Sequence, residues 1–135
     1  MIKGVRRVSI AVQDMATALA FYRDALGLPV IDDRELEEHG LKLVRLDAGR
    51  TIIELMQPTG TAGPVADFLR RHGEGLHHIA LEVDDIELEL RTLLARGTEL
   101  LDREPRPGPS GRIAFVHPRS TGGVMIELNE PEGEA

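Results

Sequence analysis

Cysteine is absent from the 135 residues, which excludes disulfides, thiolate metal ligands and a cysteine nucleophile. Tryptophan is absent as well, Tyr22 is the single tyrosine, and aromatic residues make up only 3%. The stacking platforms that grip single-stranded nucleic acid are therefore missing, and the core must be filled by Leu, Ile, Val and Ala. Lysine occurs only at Lys3 and Lys42, arginine supplies the remaining basic residues, and the formal net charge is -7. A polyanionic partner would be repelled overall, although a local cluster of arginines can still cradle a small anion. No apolar run approaches transmembrane length. The stretch after the basic start ends at Gln13 and Asp14, short of the apolar core of a signal peptide. Neither nucleic acid nor a membrane is an expected partner, and the cytoplasm is the expected location.

What is present is ordinary for a folded soluble chain: 41% hydrophobic and 29% charged residues, enough to bury a core without staples. The chain also repeats itself. Arg7-Val8-Ser9-Ile10-Ala11-Val12-Gln13-Asp14-Met15 matches His78-Ile79-Ala80-Leu81-Glu82-Val83-Asp84-Asp85-Ile86, and Ile53-Glu54-Leu55 recurs as Ile126-Glu127-Leu128 at a similar offset. This is a tandem duplication with a period near half the chain. A single domain over 1–135 is expected, with module one at about 5–58, a junction at 59–75 and module two at about 76–130.

Each copy has the same local grammar. Val8, Ile10 and Val12 alternate with Arg7, Ser9 and Ala11, which predicts a strand with one apolar face. Asp14 is placed to cap a helix whose stripe is Met15, Leu19, Tyr22 and Leu26, with Gly27 as its stop. In the second copy Asp85 caps, Ile86, Leu90, Leu93 and Leu94 form the stripe, and Gly97 ends it. Strand-like runs follow at 28–31, 41–46 and 51–56, then at 99–101, 113–116 and 124–129. A short helix at 65–70 is expected over the junction. The fold class is therefore α+β: two tandem βαβββ modules forming an open, eight-stranded, half-barrel sheet around a cleft, with the helices outside.

Alternation also sorts the polar residues. Val8, Ile10, Ile53 and Leu55 take the helix face, so Arg7, Ser9, Glu54 and Met56 face the other way, as do His78, Ala80, Glu82, Glu127 and Asn129 in copy two. Arg7, Glu54, His78 and Glu127 occupy equivalent places, two from each copy. A histidine and two carboxylates converging on a concave face suit a divalent cation, whereas one such residue alone is more often a solvated or core position. His77 should point away from His78, and His39 and His72 should be exposed. The turn after His117, through Ser120 to Gly123, is of a type that presents backbone N–H groups to an anion.

Residues 74–86 and 111–128 resemble the corresponding motifs of methylmalonyl-CoA epimerases, while Phe21-Tyr22-Arg23-Asp24-Ala25-Leu26-Gly27-Leu28 resembles a helix end found across the vicinal-oxygen-chelate (glyoxalase and bleomycin-resistance) superfamily. The resemblance implies a metal-dependent epimerase interconverting the two configurations of methylmalonyl-CoA, or a related isomerase of a CoA thioester. Such an enzyme removes the α-proton and holds an enolate. It implies Glu54, His78 and Glu127 as ligands of a divalent ion (cobalt, manganese, nickel or zinc), with Arg112, Arg119, Ser120, Thr121 and Gly122 at the CoA end. It further implies a homodimer and an acyl-CoA substrate.

The family begins with histidine where this chain has Arg7, and a guanidinium has no lone pair to offer a metal. Two arrangements follow. Either Glu54, His78 and Glu127 hold a metal with Arg7 swung aside, or Arg7 forks onto Glu54 and Glu127 and replaces the cation. Two carboxylates balance one divalent metal; without it they need both Arg7 and a protonated His78. Glu54, Glu127 and Arg7 are the catalytic candidates, and Leu43 stands in a strand where some relatives carry an acidic residue. The alternative function is a repurposed, non-catalytic member that sequesters a small molecule.

Overall fold

The same grammar read twice is built twice in the computed structural model, which describes residues 1–132. The first copy runs β1 (Ile2–Ala11), α1 (Met15–Leu19) continuing into a π-helical turn (Ala20–Ala25), β2 (Val30–Leu36), β3 (Leu41–Asp47) and β4 (Ile52–Pro58). A junction helix, α2 (Pro64–His72), precedes the second copy: β5 (Gly75–Val83), α3 (Ile86–Ala95), β6 (Arg106–Gly108), β7 (Gly111–Val116) and β8 (Ile126–Pro131). The fold class is α+β, and both copies are βαβββ.

The chain divides into two compact units, residues 7–77, and residues 1–6 together with the chain from His78 on. In the N-terminal unit the strand order is β2-β3-β4-β1, antiparallel except for β1 beside β4; the C-terminal unit repeats this as β6-β7-β8-β5, with β5 parallel to β8. The registers coincide under the duplication. Ser9 and Arg45 flank Glu54 on its neighbouring strands, and Ala80 and Phe115 flank Glu127.

Both helix starts are capped as the sequence predicts. Asp14 accepts from the N–H of Thr17 at 3.3 Å, and Asp85 from that of Leu88 at 3.1 Å, each satisfying an N–H that the helix leaves without a partner. Gly27 and Gly97 follow the helices with φ of 76° and 82°, the left-handed stop that glycine adopts without a Cβ clash. The first stripe departs from expectation at its end. Met15, Leu19 and Tyr22 pack with Val12, Val44, Leu46 and Leu55, but Leu26 is exposed and Leu28 takes the inner place. The cause is the π turn, in which Leu26 N–H reaches back five residues to the Phe21 carbonyl at 2.9 Å, widening the turn and rotating Leu26 off the stripe. In α3, Ile86, Leu90 and Leu93 pack with Val83, Ala114 and Leu128, while Leu94 stays exposed.

Two strands lie elsewhere than periodicity places them. β2 covers 30–36 rather than 28–31, because its Asp-Asp-Arg-Glu run belongs to an edge strand, where charge is tolerated and blocks further pairing. The run at 99–101 forms only a bridge, Leu100 to Val116, and the paired strand is β6. Its Pro107 is permitted at a sheet edge, where no partner needs its N–H. Helix α2 is longer than the expected 65–70. Its Val65, Phe68 and Leu69 pack on Leu41, Ala11 and Met56 of the N-terminal unit, on the sheet face opposite α1.

Candidate active site

In the N-terminal unit the polar residues that alternation assigns to the non-helix face form one buried cluster. Glu54 on β4, Arg7 and Ser9 on β1 and Arg45 on β3 are all at most 6% exposed. The Ser9 hydroxyl donates to Glu54 Oε1 at 2.8 Å, Arg45 Nε donates to Oε2 at 2.8 Å, and Arg7 Nη1 stands 4.0 Å from the same Oε2. Burial pushes the Glu54 carboxyl up. The charges of Arg7 and Arg45, with the hydrogen bonds from Arg45 and Ser9, more than reverse this and leave it below the ordinary value. Arg45 Nη2 is buried with no hydrogen-bond partner.

The equivalent place in the C-terminal unit is different in kind. Glu127 on β8 and His78 on β5 are buried, with Nε2 3.4 Å from Oε1. Ala80 replaces Ser9 and Phe115 replaces Arg45. The Phe115 ring meets His78 edge-on, centroids 5.5 Å apart, and carries Arg106 over its face at 5.5 Å. Asn129, two residues beyond Glu127, is fully buried with neither side-chain heteroatom hydrogen-bonded. One carboxylate is thus pinned by cations and a hydroxyl, and its duplicate stands beside an imidazole, with Ala80 and Phe115 in place of the serine and arginine.

The residues expected at a CoA end are dispersed within the C-terminal unit. Arg112 is committed to Glu130 at 2.8 Å and to Glu87 at 2.7 Å. Ser120 Oγ accepts the Glu99 N–H, and Thr121 Oγ1 donates to the Pro118 carbonyl. The N–H groups of Arg119, Ser120, Thr121 and Gly123 are used inside their own loop, so at those four positions the turn has no N–H to give an anion. Gly122 and Gly123 supply the positive φ of that turn, and the exposed Arg119 side chain stands 3.4 Å from Glu99. His77 packs against Phe68 at 5.0 Å, and His39 and His72 are exposed.

Residues 6–115 match the family model of the glyoxalase/bleomycin resistance protein/dioxygenase superfamily. The chain belongs to this superfamily. Human mitochondrial methylmalonyl-CoA epimerase is 38% identical over 128 residues, covering 93% of this chain and 73% of that protein. The solved methylmalonyl-CoA epimerase of Mycobacterium tuberculosis superposes with a TM-score of 0.90 at 32% identity, covering 98% of this chain and 90% of the other. A methylmalonyl-CoA epimerase in complex with methylmalonyl-CoA and NH4+ superposes with a TM-score of 0.88 at 31% identity, over 98% and 97% of the two chains.

The glyoxalase superfamily is one of metal-dependent enzymes, and the N-terminal unit of this member does not fit a divalent ion. Both oxygens of Glu54 already accept from protonated donors, Ser9 and Arg45, so neither is open to a metal. Among the described residues no three His, Asp or Glu side chains are grouped to hold a metal. Of the fork expected for Arg7, the Glu54 arm is present as the 4.0 Å contact. Sequence reasoning missed Arg45, Phe115 and Asn129. The signal for Arg45 was there: a lone arginine inside the apolar run Leu43-Val44-Arg45-Leu46, in phase with Leu43 rather than with the core-facing Val44 and Leu46.

Proposed function

We propose that this chain epimerises methylmalonyl-CoA, or a closely related carboxylated CoA thioester, by taking and returning the α-proton. The observation that carries the proposal is the buried Glu127–His78 pair, supported by relatives that are epimerases along nearly the whole chain. A buried carboxylate with an imidazole 3.4 Å away is suited to general acid–base work. Glu127 takes the proton from the α-carbon; the C–H electron pair moves into the bond to the thioester carbon, and the thioester oxygen takes the charge. Delivery of a proton to the opposite face, from a second donor or from water, inverts the centre. Glu54, held ionised and doubly hydrogen-bonded, acts as an anchor for Arg7 and Arg45 rather than as a base.

No metal has a step in this scheme: cobalt, manganese, nickel or zinc would meet a Glu54 whose two oxygens already accept hydrogen bonds. Arg112 and Arg119 remain candidates for the CoA end, Arg119 the better placed because it is exposed. Among the described residues no helix is long and apolar enough to cross a membrane. The working form is taken to be one domain in a cytoplasmic homodimer, its stoichiometry readable by sedimentation. Sequestration without turnover is not favoured by relatives that are epimerases.

Proton NMR of methylmalonyl-CoA in D2O tests the proposal. The wild-type chain is expected to erase the α-proton signal, and Glu127→Gln to slow that loss by about 10²–10⁴-fold. A signal that persists with the wild-type chain, with and without added cobalt, would overturn it.

A further inference from the structure

We infer that Arg106 is a specificity residue, receiving an anionic oxygen group of the thioester substrate at a cavity of the C-terminal unit. The group is either the acyl carboxylate or a phosphate of CoA. That a CoA thioester supplies it rests on the epimerase proposal; that Arg106 binds such an anion does not.

Arg106 stands in the run Pro105-Arg106-Pro107-Gly108-Pro109. A residue before proline is confined to extended backbone, so the main chain there has little freedom to lose when a ligand binds. The side chain is held as well. Asp102 accepts from Arg106 Nε at 3.2 Å through Oδ1 and from the Phe115 N–H at 2.8 Å through Oδ2. One carboxylate thereby ties the arginine to β7. The guanidinium lies over the Phe115 ring, 5.5 Å from its centroid, a cation–π contact that keeps it near the ring. The same ring meets His78 edge-on, and Phe115 is the register partner of Glu127. All of these residues belong to the C-terminal unit.

What this support leaves over is the far end of the guanidinium. Nε is spent on Asp102, and among the described residues neither Nη has a hydrogen-bond partner. Two N–H donors in one rigid plane match two oxygens of a carboxylate or a phosphate. Arg106 lines a cavity of about 730 Å³ and its side chain is 49% exposed, so an anion reaches it without opening the core. Val83, Pro105 and Pro107 give the cavity apolar wall. Three of its four acids are held by other cations: Glu82 by Arg6 at 2.8 Å, Asp84 by the N-terminal amine at 2.9 Å and Glu130 by Arg112 at 2.8 Å. An anion on Arg106 is one aromatic ring away from His78, so a single thioester can meet both Arg106 and the Glu127–His78 pair.

The test titrates the full chain calorimetrically with malonate and with free CoA as separate probes. Saturable binding of at least one is expected, weakened by about tenfold or more in Arg106→Gln and by less in Arg106→Lys, which keeps the charge without the fork. A weakened malonate isotherm assigns the carboxylate to Arg106; a weakened CoA isotherm assigns a phosphate. The melting temperature should move by no more than about 4 °C in either variant, because an exposed ion pair contributes little to stability. In α-proton exchange, Arg106→Gln should raise KM by about tenfold or more and change kcat far less. Wild-type chain that binds neither probe, or affinities for both within about twofold in Arg106→Gln, would overturn the inference. Absence of exchange with Arg106-dependent binding intact sinks the epimerase proposal alone; exchange whose KM is indifferent to Arg106→Gln sinks this inference alone.

Discussion

At the scale of the residue, Glu54 and Glu127 descend from one position of the repeat and have parted through their neighbours. Ser9 and Arg45 beside the first become Ala80 and Phe115 beside the second, and the carboxylate that keeps cations loses its freedom to carry protons. Glu54 therefore links acidity to stability. Its folded value lies below the ordinary carboxylate value of 4.5, so its contribution is fully present above that pH and is lost as pH falls through the folded value. In Glu54→Gln this part of the acid limb should vanish from a melting-temperature series between about pH 7 and pH 3. At neutral pH the variant should lose up to about 3–5 kcal/mol, because buried guanidinium charge is left behind. The four positions named from alternation, Arg7, Glu54, His78 and Glu127, were legible because a strand's side chains have a period of two. Arg45 shows as a lone charge in an apolar run, but the repeat does not mark it, because its counterpart in the second copy is Phe115.

Elements show the same division between what periodicity reveals and what it hides. Both caps, both glycine stops and the core strands β1, β3, β4, β5, β7 and β8 could be read, since each couples a hydrophobic pattern to a local hydrogen-bonding need. The edges could not. β2 is disguised by charge and β6 by proline, and both disguises serve to keep edges from pairing further. The hairpin joining β6 to β7 depends on Gly111, whose φ is +134° and where a Cβ would overlap the backbone carbonyl of Glu130. Gly111→Ala is expected to cost on the order of 1–3 kcal/mol, measurable by urea denaturation. A loss within about 0.5 kcal/mol would mean that β7 and β8 can separate to admit the methyl group.

For the molecule as a whole, the charge of -7 acts over a long distance. An acyl-CoA is itself strongly anionic, so this field opposes its approach. Added salt screens the field over about a Debye length. The specificity constant for a CoA thioester should therefore rise, by about twofold or more between roughly 10 and 150 mM salt; a fall would mean that exposed arginines such as Arg119 dominate capture. The duplication was visible from two short matches because both copies kept their core phase, whereas the chemistry that separates the copies sits in the intervening phase. The π turn at Ala20–Ala25 has a different bearing. Its hydrogen-bonded ring encloses one residue more than that of an α-helix, so the core does not fix the number of residues there. Loss of one would leave an ordinary helix entering the same strand, which makes this turn a natural place for insertions and deletions to accumulate while every register around Glu54 and Glu127 stays fixed.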